Sequence, residues 1–464
     1  MNGRQRNRLL ALLFFGVLMA AMDIAIVGPA LPAIRDAFGV SDREVSWVFT
    51  AYLLFNLIGT PLMAKLADRL GRRSVYVADV VLFAVGSVVV ALAPSLAVVV
   101  VGRALQGFGA GGIFPVASAV IGDTFPPERR GRALGLIGSV FGIAFIIGPI
   151  FGGVLLRFGW QMLFWGPLPF ALVLIPWAWR ELPTTRAAEI HGLDWGGLLA
   201  LSGFLAALTL GLNHLEVEHL AASLYQAATG GWLVAALILL GLLIWVETRA
   251  ADPLVRPALF GTGQLRRVNG LAFGAGVIEG AMVFVPSLLV AALGLTPSQS
   301  SFALLPAVAA MAVGAPLFGR LLDARGSRLV VIVGTSLTTV GLAVLSGPSL
   351  SWPTFLTASV LFGLGLSALL GAPLRYIMLN EVPATERSAA QGVISLMTKI
   401  GQLVTGALVG ALAASLGGGV SGYQSAFRVL TLVALGLVFI AWSLKSFAEE
   451  RGRRDASLSR GATK

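Results

Sequence analysis

From about residue 9 to about residue 445 the chain is a succession of apolar runs, each near 20 residues long and separated mostly by short loops. Twenty residues of α-helix rise about 30 Å, the thickness of a bilayer's hydrocarbon core. In lipid the backbone of such a run must satisfy its own hydrogen bonds, and a helix does so. Strands of a membrane barrel alternate apolar and polar residues over about 10 positions; these runs do not alternate. Windows of this length place about fourteen spans, near 9–29, 45–64, 75–93, 96–120, 133–156, 161–180, 195–213, 231–247, 268–290, 299–319, 329–347, 353–374, 390–413 and 426–445. Only 12% of the residues are charged, against roughly 25% in soluble domains, too few to cover a water-facing surface. The expected fold class is an all-α integral membrane protein.

The basic residues test that count, because they gather in cytoplasmic loops. With the N-terminus inside, Arg35, Arg43, Arg157 and Arg428 fall on the outer side, and Arg103 and Lys399 fall inside spans. Every other Lys and Arg of the 33 falls on the cytoplasmic side. An error of one span would scramble this partition, so both termini are expected in the cytoplasm. The net charge of +11 then reports topology, with weak attraction to anionic membrane lipids and no affinity for nucleic acid. Arg4, Arg6 and Arg8 precede the first run as in a signal peptide, but no small-residue cleavage site follows, and the run reads as a retained span.

Several chemistries are disfavoured. There is no cysteine, hence no thiol nucleophile and no thiolate metal site. No phosphate-binding G-x-x-x-x-G-K-[ST] loop is present. His191, His214 and His219 fall in loops or span ends. An enzyme is not expected, and neither is a metal or other cofactor.

The chain writes one charged loop twice. "PLMAKLADRLGRRS" (61–74) returns as "PLFGRLLDARGSRL" (316–329), pairing Pro61 with Pro316, Asp68 with Asp323, Gly71 with Gly326 and Arg73 with Arg328 at an offset of 255. "LQGFGAGG" (105–112) returns as "LFGLGLSA" (361–368) at 256, and "PPERRGRALG" (126–135) as "PATERSAAQG" (383–392) at 257. Two copies of a six-span unit follow. The expected domains are a six-helix bundle at 1–185, two inserted spans with linkers at 186–264, a second six-helix bundle at 265–450 and a basic cytoplasmic tail at 451–464. Parallel halves of this kind are a transporter signature, with the substrate site between them near the midplane.

The motifs point further. "AKLADRLGRR" (64–73), "GRALQGFGAG" (102–111), "GLIGSVFGIAFIIGPIFGG" (135–153) and "MDIAIVGPALPAI" (22–34) stand in order on the loop after span two and on spans four, five and one. With these the sequence resembles the major facilitator superfamily, and within it the fourteen-span drug:proton antiporters. Ala64 stands where that loop signature usually has Gly, and Gly28 and Pro29 depart from the first-span motif. The resemblance covers almost the whole chain. It implies a multi-pass protein of the cytoplasmic (inner) membrane that works by alternating access, exchanging protons for a small-molecule substrate; a monomer is expected.

Charges inside the membrane cost at least about 2.5–3.5 kcal/mol each on insertion scales, so their placement is informative. Asp23 lies in span one, Arg103 in span four, Glu279 in span nine and Lys399 in span thirteen. Asp23 and Glu279 occupy equivalent places in the two copies. At 1.5 Å per residue, Asp23 and Arg103 lie roughly 9 and 10 Å from the outer end and could meet. Asp23 is the candidate proton carrier, since a buried carboxylate's proton affinity depends on whether a cation stands beside it. A static Asp23–Arg103 pair that only fixes helix packing is the competing reading. Glu279 is placed in the cavity, to recognise a cationic substrate or carry a second proton, with Lys399 as its neutraliser or competitor. Asn56, Gln106 and Gln402 could line the same cavity or bond helices together.

The loops suggest a gate. The resemblance implies that Asp68 lies near a helix N-terminus of the other half, where the dipole favours negative charge. Arg72 would bridge to Asp123, and Asp323 and Arg328 would do the same with Glu381, latching one conformational state. Gly135, Gly148, Gly152 and Gly153 share span five with Pro149, and read either as close packing or as a hinge. The leading function is a proton-coupled exporter of amphipathic, drug-like compounds, with the two acids leaning toward cations. The alternative is a lipid or glycolipid exporter on the same scaffold.

Overall fold

The computed structural model describes residues 3–184, 194–250, 253–383, 386–447 and 449. Arg186, His191 and the basic tail at 451–464 lie outside the described residues. Fourteen helices, among these residues, are long and apolar enough to cross a membrane: Arg4–Phe38, Asp42–Leu70, Arg72–Ala91, Leu96–Thr124, Arg132–Phe158, Met162–Glu181, Trp195–Asn213, Ala227–Glu247, Gly263–Leu293, Pro297–Arg325, Ser327–Leu345, Trp352–Glu381, Ala389–Ser415 and Gly419–Trp442. They are spans one to fourteen below. Most run past the apolar windows at one or both ends, because a helix continues into the loop until a cap or breaker stops it.

The duplicated charged loop has a backbone reason. Span two ends at Gly71, with φ 99°, and span ten ends at Gly326, with φ 82°. These are left-handed conformations that favour glycine. Each glycine N–H returns to the preceding helix, Gly71 to the Ala67 carbonyl and Gly326 to that of Leu322, and the next helix starts at once. Ala67 and Leu322 are themselves 255 positions apart.

The chain divides into two compact units, Met1–Leu254 with Val283–Ala303, and Val255–Met282 with Leu304–Lys464. In the first unit span four packs against spans two and three, span one against span five, and span three against span six. In the second unit span twelve packs against spans ten and eleven, span nine against span thirteen, and span eleven against span fourteen. The same partners meet in each copy. Glycines allow a matched close crossing in each copy: a Cβ at Gly107 would lie 2.1 Å from the Tyr52 carbonyl oxygen, and one at Gly363 would lie 2.1 Å from that of Ala307. No side chain fits there, so the helices approach backbone to backbone.

These units are not the sequence repeats. Spans seven and eight pack on each other and, through span seven, on span two. Trp47 donates its indole N–H to Asn213 Oδ1 at 3.0 Å, and Arg43 donates to the Leu215 carbonyl at 3.2 Å. Residues 283–303, written in the second copy, belong to the first unit by packing. A repeat boundary is fixed by chain order, whereas a packing unit is fixed by which surfaces touch. Span nine is interrupted where the chain passes from one unit to the other: its α-helix stops at Ala281, a 3₁₀ turn covers Met282–Phe284, and α-helix resumes at Val285. Short 3₁₀ insertions of this kind often mark hinges.

Candidate functional site

Four spans converge on Asp23. The residue is fully buried in span one, and Arg103 in span four is fully buried beside it. Arg103 Nη1 donates to Asp23 Oδ2 at 2.6 Å and to Gln106 Oε1 at 2.9 Å. Arg103 Nε donates to the Val48 carbonyl at 2.9 Å. Gln106, one turn along the same helix, donates from Nε2 to Asp23 Oδ1 at 3.3 Å and to Ser87 Oγ of span three at 2.7 Å. The guanidinium also lies over the Tyr52 ring, 4.3 Å from its centroid. Charge-assisted bonds of this kind are about twice as strong as neutral ones, and with water excluded the pair is weakly screened. The carboxylate therefore has a cation and an amide on its two oxygens, and a change in either alters its hold on a proton.

Glu279 occupies the equivalent place in the second copy, but its setting differs. Ser359, not arginine, stands 256 positions after Arg103, and Phe362 stands 256 positions after Gln106. The carboxyl is instead hydrogen-bonded by the Gln402 side chain of span thirteen. Spans nine and thirteen cross closely here: a Cβ at Gly276 would lie 1.9 Å from the Thr398 carbonyl oxygen, and Thr405 Oγ1 donates to the Val277 carbonyl at 2.8 Å. Lys399 lies on the same span, one turn before Gln402, and is half-buried. Glu279 stands three residues before the 3₁₀ interruption. Asn56 donates to the Gly107 carbonyl at 3.4 Å. Asn56 and Gln106 thus each bond one helix to another.

At the end carrying the basic loops, Arg72 pairs with Asp68 and with Asp123, Nε to Oδ2, at 3.2 Å. The second copy departs from the expected arrangement. Glu381 is ion-paired with Lys445, Arg328 lies 5.9 Å from the centroid of the Trp442 ring, and Asp323 is exposed with no ion-pair partner among the described residues. The cause is register. At the offset of 257 that relates Pro126 to Pro383, Asp123 matches Asn380. Glu381 is one residue further, about 100° around the helix, and reaches a different cation.

The glycines of span five differ in their surroundings. A Cβ at Gly148 would lie 2.6 Å from Ala25 Cβ, at Gly152 2.9 Å from Ser301 Oγ, and at Gly153 2.6 Å from the Phe302 ring, while at Gly135 it would meet nothing within 4 Å. Among the described residues Gly135 therefore makes no close packing contact of the kind its three companions make. Ser301 donates to the Pro149 carbonyl at 2.8 Å and Ser298 to that of Gly153 at 2.6 Å. Gly135→Ala is expected to leave the thermal midpoint unchanged or raise it, since alanine is worth about 0.5–1 kcal/mol over glycine in a helix. Gly153→Ala is expected to lower it, because the phenyl ring must move. Thermal unfolding of the two purified variants checks the contrast.

Ser87, the far end of the Asp23 network, is not legible in the sequence, because a lone serine in an apolar run gives no signal beyond its polarity. Asp79 in span three does carry a signal, being an acid within an apolar run.

Fourteen membrane-length helices in two similarly packed sets define a multi-pass helical membrane protein with an internal repeat, the build of secondary transporters. The family model described as Major Facilitator Superfamily matches residues 13–262 and 268–462, and the chain belongs to that family. It is 32% identical over 421 residues to the tetracenomycin C resistance and export protein of Streptomyces glaucescens, covering 89% of this chain and 77% of that one. It is 28% identical over 430 residues to the multidrug transporter protein MdtP of Bacillus subtilis (strain 168), covering 89% of this chain and 78% of that one. Among solved structures, a POT family transporter in complex with 5-aminolevulinic acid superposes with a TM-score of 0.69 over 94% of this chain and 95% of that one, at 13% identity; that likeness concerns the fold alone.

Proposed function

We propose that the protein is a proton-coupled antiporter of the cytoplasmic membrane that exports amphipathic, preferentially cationic, drug-like compounds by alternating access. The observation that carries the proposal is the buried Asp23–Arg103 pair, tied through Gln106 to span three. A transporter driven by protons needs a titratable group whose environment changes with conformation. Asp23 is bound by Arg103 and Gln106 of span four, which are themselves held by Val48 of span two and Ser87 of span three, so a shift among those spans alters its partners. When the guanidinium stays close, the carboxylate is favoured; when the contact loosens in a dry site, the acid is favoured. That alternation would couple proton binding to a change of state.

Glu279 serves the substrate. It is an acid held by an amide rather than by a guanidinium, so it is open to a cationic compound. Asp68, Arg72 and Asp123 serve as the cytoplasmic latch, made in one state and broken in the other. Two relatives whose names denote drug resistance, export or multidrug transport support the export direction and the substrate class.

The test uses purified protein in liposomes with an imposed pH gradient, and compares a cationic dye with its neutral analogue. Movement of the cationic dye up its own gradient, abolished by a protonophore, is the expected result. No dye movement, with accelerated transfer of a labelled lipid between leaflets, would replace this reading with that of a lipid exporter.

A further inference from the structure

Span three buries a carboxyl that the network around Asp23 does not use. Asp79 is fully buried, and neither of its oxygens has a hydrogen-bond partner among the described residues. The hydroxyl of Tyr76, one turn earlier on the same helix, is also buried and unpartnered. Both groups sit where a neighbouring helix lacks a side chain. A Cβ at Gly112 of span four would fall 2.1 Å from Asp79 Oδ2, and a Cβ at Gly16 of span one would fall 1.8 Å from the Tyr76 hydroxyl. The carboxyl thus occupies a notch left by a missing methyl group.

The second copy supplies an internal comparison. A Cβ at Gly109 would lie 2.5 Å from the Asp79 carbonyl oxygen and 2.8 Å from Phe83 N; a Cβ at Gly365 would lie 2.8 Å from the Gly334 carbonyl oxygen and 2.7 Å from Thr338 N. The helix crossing is the same. Yet the residue matching Asp79 is Gly334, and the residue matching Gly112 is Ala368. The crossing therefore forms without an acid, and in the first copy an acid and its notch are both additional to what packing requires.

Among the described residues no counter-charge is paired with Asp79. The charged residues on the helices around it are Asp42, Arg43, Glu44, Lys65, Asp68 and Arg69 of span two, Arg103 and Asp123 of span four, and Arg180 and Glu181 of span six. Span one adds Arg4, Arg6, Arg8, Asp23, Arg35 and Asp36, and span three itself adds Arg72 and Arg73. They stand toward the helix ends or in the Asp23 network, and none is paired with Asp79. A Ca²⁺ or Mg²⁺ ion takes about six or more oxygen ligands, whereas the unpartnered buried groups here are one carboxyl and one phenol, and no cluster of three metal-ligating side chains occurs among the described residues. An isolated buried carboxylate is costly and is relieved by neutralisation; here the available neutralising species is a proton.

We propose that Asp79 is a second proton-binding site, which carries a proton of its own in the transport cycle and exchanges it when the crossing of spans three and four loosens toward the basic loops. Its part in the cycle rests on the proton-coupled reading above; its proton does not. The test is infrared difference spectroscopy of the protein in lipid nanodiscs, combined with the proton-to-dye ratio in liposomes. At neutral pH the wild type should show a protonated-carboxyl stretch that Asp79→Asn removes and Asp23→Asn leaves in place. Gly112→Ala, which crowds the carboxyl, should shift that band and serves if Asp79→Asn does not fold. The proton-to-dye ratio of Asp79→Asn should fall by one proton. A band unchanged in Asp79→Asn, or unmoved in Gly112→Ala if only that variant folds, overturns the proposal. A band that is lost while the ratio stays at the wild-type value overturns Asp79 as a carrier. If the wild type moves no protons with dye, the antiporter reading fails while the infrared result still decides the site.

Discussion

Replacing Asp23 with asparagine is expected to stop proton-driven transport and to destabilise the protein by about 3–5 kcal/mol, because it strands a buried guanidinium. Arg103 is fully buried, and its carboxylate contact is 2.6 Å long. Arg103→Met should destabilise similarly by stranding the acid. The double variant Asp23→Leu with Arg103→Met should recover most of the lost stability, since replacing both charges by apolar groups is often neutral or better. It should transport nothing against a gradient. Thermal unfolding in detergent, run beside a liposome flux assay on the four proteins, separates the two roles of the pair. A purely structural pair would give back transport along with stability in the double variant.

The second large effect is expected at the close helix crossing that the two copies share. Gly107→Val and Gly363→Val would each force a Cβ to within 2.1 Å of a backbone carbonyl oxygen on the neighbouring helix. A rotamer change cannot relieve a clash with backbone, so the two helices must separate along their length. The cost should reach at least the roughly 1–3 kcal/mol typical of overpacking. Because the crossing occurs once per copy, the two variants should behave alike. Folding yield and thermal midpoint of both, measured against Gly135→Ala as the variant with open space, test the equivalence. Tolerance at one position and collapse at the other would show that the two crossings are not equivalent.

Much of the fold is legible because the bilayer imposes it. Apolar length marks a span, and the charge of its loops marks its direction. The repeated loop is legible because Gly71 and Gly326 are needed for left-handed turns and cannot drift. The level shared by Asp23 and Arg103 follows from counting residues at a fixed rise. Other features leave no such trace. In an almost wholly apolar helix no period tells which face packs, so the 3₁₀ interruption of span nine and the assignment of residues 283–303 to the first unit are invisible in composition. The register of Glu381 is lost because one residue of slip between copies turns a side chain by about 100°. Asp79 was hidden for a different reason. Its counterpart in the second copy is glycine, so the repeat does not mark it, yet that asymmetry is what sets it apart from packing.

In the proposed cycle proton movement and substrate movement are one event, linked through Asp23. The direct test applies a gradient of cationic dye across proteoliposomes at equal pH on both sides and records lumenal pH. Dye efflux is expected to drive protons inward in the wild type, and Asp23→Asn is expected to abolish this countermovement. Dye efflux with no proton movement in the wild type, or proton movement undiminished in Asp23→Asn, would contradict it.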